Sequence, residues 1–150
     1  PCTCGQGLVQ KYLNKVSGPL MDRIDIHIEV VPVTHEELAS TKPVEKSVEI
    51  RKRVIKARAI QNKRFVEYER IHCNAQMSRK QVEQYCRISV EGAELLKRAM
   101  ERLGLSARAY DRILKVARTI ADLEESPEIE IEHLSEAINF RSLDRDNWGK

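Results

Sequence analysis

Two arginines and one basic stretch are the residues best suited to chemistry in this 150-residue chain. Arg23 stands in Leu20-Met21-Asp22-Arg23-Ile24-Asp25, directly before a run that alternates apolar and polar residues. That position would project a guanidinium from the rim of a sheet. Its planar fork pairs two oxygens at once, which suits phosphate charge. The alternative is a surface ion pair with Asp22 or Asp25. Arg108 follows Ser106, which reads as a helix N-cap. A cation in the first turn opposes the helix dipole, where an acid is favoured. An arginine beside free N–H groups makes sense if both face an anion. The alternative is an exposed arginine whose head turns into water.

The basic stretch is Arg51, Lys52, Arg53, Lys56, Arg58, Lys63 and Arg64, with no acid between them. Such a face could track phosphates along nucleic acid, with binding that weakens as salt rises. The competing reading is a solvated helix face paired with Glu45, Glu49 and Glu67. Cys2-Thr3-Cys4 supplies half of the four ligands a structural zinc site needs, and His27, His35, His72 and His133 show no ligand spacing. No metal site is expected within the chain. Cys73 and Cys86 read as small apolar residues. No Gly-x-x-x-x-Gly-Lys-Ser/Thr loop, Gly-x-Ser-x-Gly or His-Glu-x-x-His occurs. Catalysis by this chain alone is therefore not expected.

The elements that must position these residues are mostly helices. Residues 24–31 alternate Ile24, Ile26, Ile28 and Val30 with Asp25, His27 and Glu29, and Pro32 follows, which predicts one half-buried strand. No second strand is found for it to pair with, so the chain is expected to be a piece of a larger protein whose sheet lies upstream. The period then changes. Val44, Val48, Ile55, Ala59 and Val66 predict one face of a helix over 44–67. Ser78 with Gln81 forms a capping-box pattern for a helix reaching Cys86. A third helix follows Ser89, carries Ala93, Leu96, Met100 and Leu103 inward, and is closed by Gly104. A fourth follows Ser106 with Ala109, Ile113, Val116, Ala117, Ile120 and Leu123 inward. A fifth covers 132–141 and has no recognisable N-cap. Short connections after Ser78 imply a compact bundle.

Composition agrees. A chain that is 41% hydrophobic and 33% charged is globular rather than disordered. Six glycines and five prolines are few enough to favour long helices. A formal charge of +3 says little about partners, so the distribution of charge has to carry that argument. No apolar run approaches the roughly 20 residues that span a bilayer, and four cysteines do not make a disulfide scaffold. A cytoplasmic location without membrane contact is expected.

Ser17-Gly18-Pro19-Leu20-Met21-Asp22-Arg23-Ile24-Asp25 is similar to a signature of the magnesium-chelatase-like AAA+ ATPases. Residues 103–123, from Leu103-Gly104-Leu105-Ser106-Ala107-Arg108 to Ala121-Asp122-Leu123, and Asn74-Ala75-Gln76-Met77-Ser78 resemble the family's C-terminal domain. The resemblance covers nearly the whole chain and fits the bacterial competence-type branch best. It implies a mainly α fold: a helical bundle lid, the C-terminal domain of an AAA+ ATPase, preceded by one strand left over from the α/β core. The implied divisions are a core remnant at 1–31, a linker at 32–43, the lid at 44–144 and a tail at 145–150.

By the same resemblance Arg23 matches an arginine finger, which reaches a nucleotide held by the neighbouring subunit of a ring. Arg108 matches a sensor-2 arginine, which reads the γ-phosphate. Cys2 and Cys4 resemble half of a cysteine-rich insert. The phosphate-binding elements are expected upstream. ATP and Mg2+ are then the cofactors of the intact protein, with none expected on this chain alone. The implied partners are identical subunits, expected as a hexameric ring, and DNA. The implied activity is ATP-driven DNA remodelling of the branch-migration type. The alternatives are an ATP-dependent chelatase inserting magnesium into a porphyrin, and a non-enzymatic nucleic-acid-binding helical module.

Overall fold

A computed structural model describes residues 3–35, 39 and 44–141 of the chain. Its helices are α1 (Gln6–Leu13), α2 (Gly18–Met21), α3 (Ser47–Arg64), α4 (Arg79–Tyr85), α5 (Val90–Leu103), α6 (Ala107–Leu123) and α7 (Ile131–Asn139), with a 3-10 turn at Asn74–Gln76 before α4. The fold is mainly helical, as the periodicity predicts.

Local chemistry sets most of the boundaries. The Gln81 side-chain oxygen accepts the Ser78 N–H at 2.7 Å. Ser89 Oγ accepts from Gly92 N at 3.0 Å, and Ser106 Oγ from Ala109 N at 3.3 Å. Each satisfies an amide that a helix start leaves open. Gly104 closes α5 at φ +60°, a conformation in which a side chain would be strained. The start of α7 uses a less usual device. Glu130 is the N-cap, and its N–H donates to His133 Nδ1 at 2.9 Å.

The core is built around α6. Ala109, Ile113, Ala117, Ile120 and Ala121 recur at intervals of about one turn and are buried. Alanines there let neighbouring helices approach closely. Phe65 from the end of α3, Met77, Val82, Leu96, Leu134 and Ala137 complete the cluster. Cys86 is buried in it, as expected of a free cysteine, and burial pushes its thiol up to about 12. Iodoacetamide at pH 8 is therefore expected to label exposed Cys4 and spare Cys86 until the chain is unfolded in urea. Peptide mapping would check this, and equal labelling rates would contradict the packing. The sign of the pH effect follows. The thiol is held neutral in the fold, so its share of stability is intact below the ordinary thiol value near 9. That share declines as pH rises from there towards 12, where the unfolded chain ionises first.

Two expectations need correction. Residues 24–31 form no strand. The backbone there is open coil, with Ile28 and Val30 68% and 88% exposed. A ladder requires a neighbouring strand's N–H and C=O groups, and none lies beside this segment among the described residues. The His27 N–H instead donates to the Phe140 carbonyl at 2.8 Å. The inward face of α3 also differs from the predicted one. Val44, Val48, Ile55, Ala59 and Val66 are exposed, and Ala57, Gln61 and the adjoining Phe65 face the core. The larger apolar residues set the apparent stripe, while the true seam passes through small and polar ones that sit against α6. Most of the expected linker at 32–43, and everything beyond Arg141, lie outside the described residues.

Candidate functional site

Arg23 sits in the turn that ends α2, exposed, with Nη1 donating to the Pro19 carbonyl at 3.0 Å. The loop around it is anchored on both sides. Met21 and Asp22 are buried. Asp25 forms an ion pair with Arg112 of α6, and Arg141 donates to the Ile24 carbonyl. Asp25 thus has a partner other than Arg23, which removes one of the two ion pairs that could have occupied the arginine. The anchors fix the loop while its guanidinium stays at the surface.

Arg108 is the second residue of α6 and is exposed. Ser106 caps the Ala109 amide, and the first turn contains no acid. Arg108 and Arg112 are four residues apart, so they share a helix face. The Asp25–Arg112 pair therefore draws the Arg23 loop to the N-terminal end of α6, where Arg108 lies. The Arg23 loop and the start of α6 are thereby linked through Arg112, one turn along the helix from exposed Arg108. That region suits polyanionic oxygen ligands such as phosphates.

The basic stretch does not act as a single face. Lys52 pairs with Glu49 at 3.0 Å, Arg53 with Glu45 at 3.0 Å and Lys56 with Glu125 at 2.6 Å, all at the surface. Arg64 instead turns inward and is mostly buried. Its Nη2 lies 2.5 Å from Asp122 Oδ1, with the two side chains 13% and 0% exposed. Arg51, Arg58 and Lys63 are exposed and carry no ion pair among the described residues. Cys4 is exposed, and Cys2 lies outside the described residues.

Asp122 is the residue that sequence reasoning missed. It also accepts from Arg118 Nε at 3.1 Å and from Asn74 Nδ2 at 2.7 Å. Asn74 Oδ1 in turn accepts from Arg64 Nη1 at 2.8 Å. Arg118 is satisfied by the carbonyls of Pro127 and Ser126 at 2.9 and 2.6 Å. Desolvation lowers the Arg118 guanidinium against the opposing pull of Asp122. The cluster ties α3 and the 3-10 turn to the C-terminal end of α6. Arg108 is fourteen residues back along the same helix, or about 21 Å at 1.5 Å per residue. Arg108 and the joint to the basic helix thus lie at opposite ends of one helix. A signal for the cluster was present: Arg118 and Asp122 fall on the inward face of α6, where charge needs a partner.

Comparison with known proteins matches two family models to successive parts of the chain. A family model described as magnesium chelatase, subunit ChlI C-terminal, matches residues 44–141, and one described as magnesium chelatase, subunit ChlI, matches residues 1–38. The competence protein ComM of Haemophilus influenzae is 41% identical over 138 residues, 91% of this chain and 26% of that protein. YifB of Escherichia coli is 40% identical over 145 residues, 96% of this chain and 27% of its own length. YifB of Salmonella typhimurium is 38% identical over 146 residues, with the same coverage. The chain thus spans about a quarter of the length of the curated relatives it matches.

Proposed function

The chain belongs to the magnesium-chelatase family, and from that premise we propose that it supplies the sensing and finger side of an ATP site in a ring-forming DNA-remodelling motor. The observation that carries this reading is the meeting of the Arg23 loop with the N-terminal end of α6, fixed by the Asp25–Arg112 pair. The site suits the phosphates of ATP: Arg108 would hold phosphate oxygens together with the first-turn amides, and Arg23 would reach a nucleotide bound on the adjacent subunit. ATP would contribute the phosphoryl group whose transfer drives the motor. The chain's own part is electrostatic. Two exposed guanidiniums, one of them on a loop anchored by the Asp25–Arg112 pair, would offer positive charge where negative charge develops.

The rest of the molecule supports a coupling role. A 17-residue helix has Arg108 at one end and the Arg64–Asp122 joint to α3 at the other. A displacement at the nucleotide end of α6 is carried to α3 as rigid motion. The exposed cations of α3 favour DNA as the object moved, and the relative named as a competence protein is compatible with that choice. The exposed alternating apolar residues at 24–31 fit a sheet completed by the remainder of the intact protein. Among the described residues no helix is long and apolar enough to cross a membrane, which is compatible with a cytoplasmic location.

The porphyrin-chelatase alternative draws on the family model's description. The test is hydrolysis by the intact protein. ATP turnover is expected to rise several-fold on adding branched or duplex DNA and to be unchanged by a porphyrin. Turnover stimulated by porphyrin and indifferent to DNA would replace the motor with a chelatase. Hydrolysis should also fall in Arg108→Ala, and full activity in that variant would remove the sensing role.

A further inference from the structure

The part of this reading that concerns DNA can be narrowed to particular atoms, and the inference rests on that part. The first ten residues of α3, Ser47 to Lys56, are all exposed, and the first buried residue of the helix is Ala57. This half of α3 therefore projects from the bundle as an open rod about 15 Å long and 10–12 Å across. A rod of that width fits the B-DNA major groove, about 12 Å wide.

Its cations are not equivalent. Arg64 is held in the core by Asp122 and Asn74. Lys52, Arg53 and Lys56 have carboxylate partners. Arg51 and Arg58 have none among the described residues and are exposed. Seven residues apart, they lie on one face of the helix, about 10.5 Å from each other along its axis. Ile55 and Asn62 complete that stripe, which contains no acid. Glu49 lies on the far side, about 160° around the helix from Arg51 at 100° per residue.

We propose that the Arg51–Arg58 stripe on the projecting half of α3 is a phosphate-backbone site for duplex DNA. Duplex is favoured over single strands because the stripe offers no aromatic platform on which unpaired bases could stack. Phe65, just beyond the end of α3, is engaged edge-to-face with Tyr85 and Tyr68, with ring centroids 5.7 and 6.2 Å apart. Contacts of this type read no sequence. The exposed pairs of Lys52 and Arg53 are weak enough to exchange a carboxylate for a phosphate, so those residues add affinity without defining the site.

The experiment is fluorescence anisotropy of the full 150-residue chain with a duplex and a single-stranded oligonucleotide, at salt concentrations between about 50 and 200 mM. Duplex affinity is expected to fall about tenfold at low salt in R51A/R58A, and the slope of log K against log salt should lose about 1.8, or 0.9 per phosphate contact. R51Q/R58Q should behave alike, with both circular-dichroism melts unchanged because the residues are exposed. K52A/R53A should lose less. Wild-type affinity and slope in both double variants would overturn the site while leaving nucleic-acid binding elsewhere on the chain standing. No duplex binding by the wild type at low salt would overturn the site and the nucleic-acid reading together. Tighter binding of the single strand would overturn the duplex assignment. In none of these cases would the assignment of Arg23 and Arg108 to an ATP site be affected.

Discussion

Asp122→Ala is expected to lower the unfolding free energy by about 3–5 kcal/mol, the range seen when one partner of a buried ion pair is removed. Domains of this size have only about 5–15 kcal/mol in total, so the variant should be marginal at 37 °C. The loss goes beyond a single salt bridge. Asp122 is fully buried and is the anion shared by Arg64 and Arg118, with Asn74 oriented by the same carboxylate. Without it, two guanidiniums with side chains 13% and 3% exposed face each other. Asp122→Asn keeps the shape and removes the charge. It should recover little, because the cations still lack a counter-ion. Arg64→Ala should cost less than either, since the i,i+4 pair between Arg118 and Asp122 stays balanced. Urea melts followed at 222 nm would rank the three. An Asp122→Ala variant within 1 kcal/mol of wild type would mean that the cluster is not the joint between α3 and α6.

That cluster also shows what the sequence could and could not disclose. The helices from α4 onward were legible because their boundaries are local events: Ser78 with Gln81, Ser89, Gly104 and Ser106 each act within four residues of themselves. The start of α7 was not, because a glutamate N-cap with a histidine in the capping position falls outside the usual residue preference. Arg64 looked like one more surface cation because its partner is 58 residues away. Seven cations in fourteen positions give a charge count, but only tertiary packing separates Arg64, part-buried against Asp122, from exposed Arg51 and Arg58. The alternation at residues 24–31 was read correctly as a pattern. It did not become a strand, because pairing is a property of two segments and the pattern describes only one.

The candidate site divides in the same way. Arg23 and Arg108 were identifiable by residue type and position, Arg108 because a cation in a first turn breaks the local electrostatic rule. Their common neighbourhood was not identifiable, since Asp25 and Arg112 are 87 residues apart. Arg141 contributes a second anchor from the far end of the chain by donating to the Ile24 carbonyl. The loop carrying Arg23 is therefore set by both the α6 and α7 ends of the bundle, and its geometry should depend on the lid being folded.

Arg23→Ala in the intact protein is expected to reduce ATP turnover about 10³-fold or more, within the range supplied by arginine fingers, while ATP affinity changes little. The two readouts separate because of where the guanidinium acts. Arg23 is exposed, and among the described residues its guanidinium bonds only to the Pro19 carbonyl, so its removal should leave the fold and the nucleotide-binding groups intact. Its contribution would arise as charge builds on the transferring phosphoryl group, which lowers the barrier without tightening ground-state binding. Arg23→Lys should rescue poorly, because an ammonium cannot pair two oxygens in the guanidinium's fork geometry. Mixing separates a finger from a residue acting within its own subunit. Arg23→Ala subunits mixed with subunits defective in nucleotide binding should regain activity at interfaces where an intact finger meets an intact nucleotide site. Undiminished turnover in the single variant would remove the finger role. Loss of turnover with no recovery on mixing would place Arg23 at its own subunit's nucleotide.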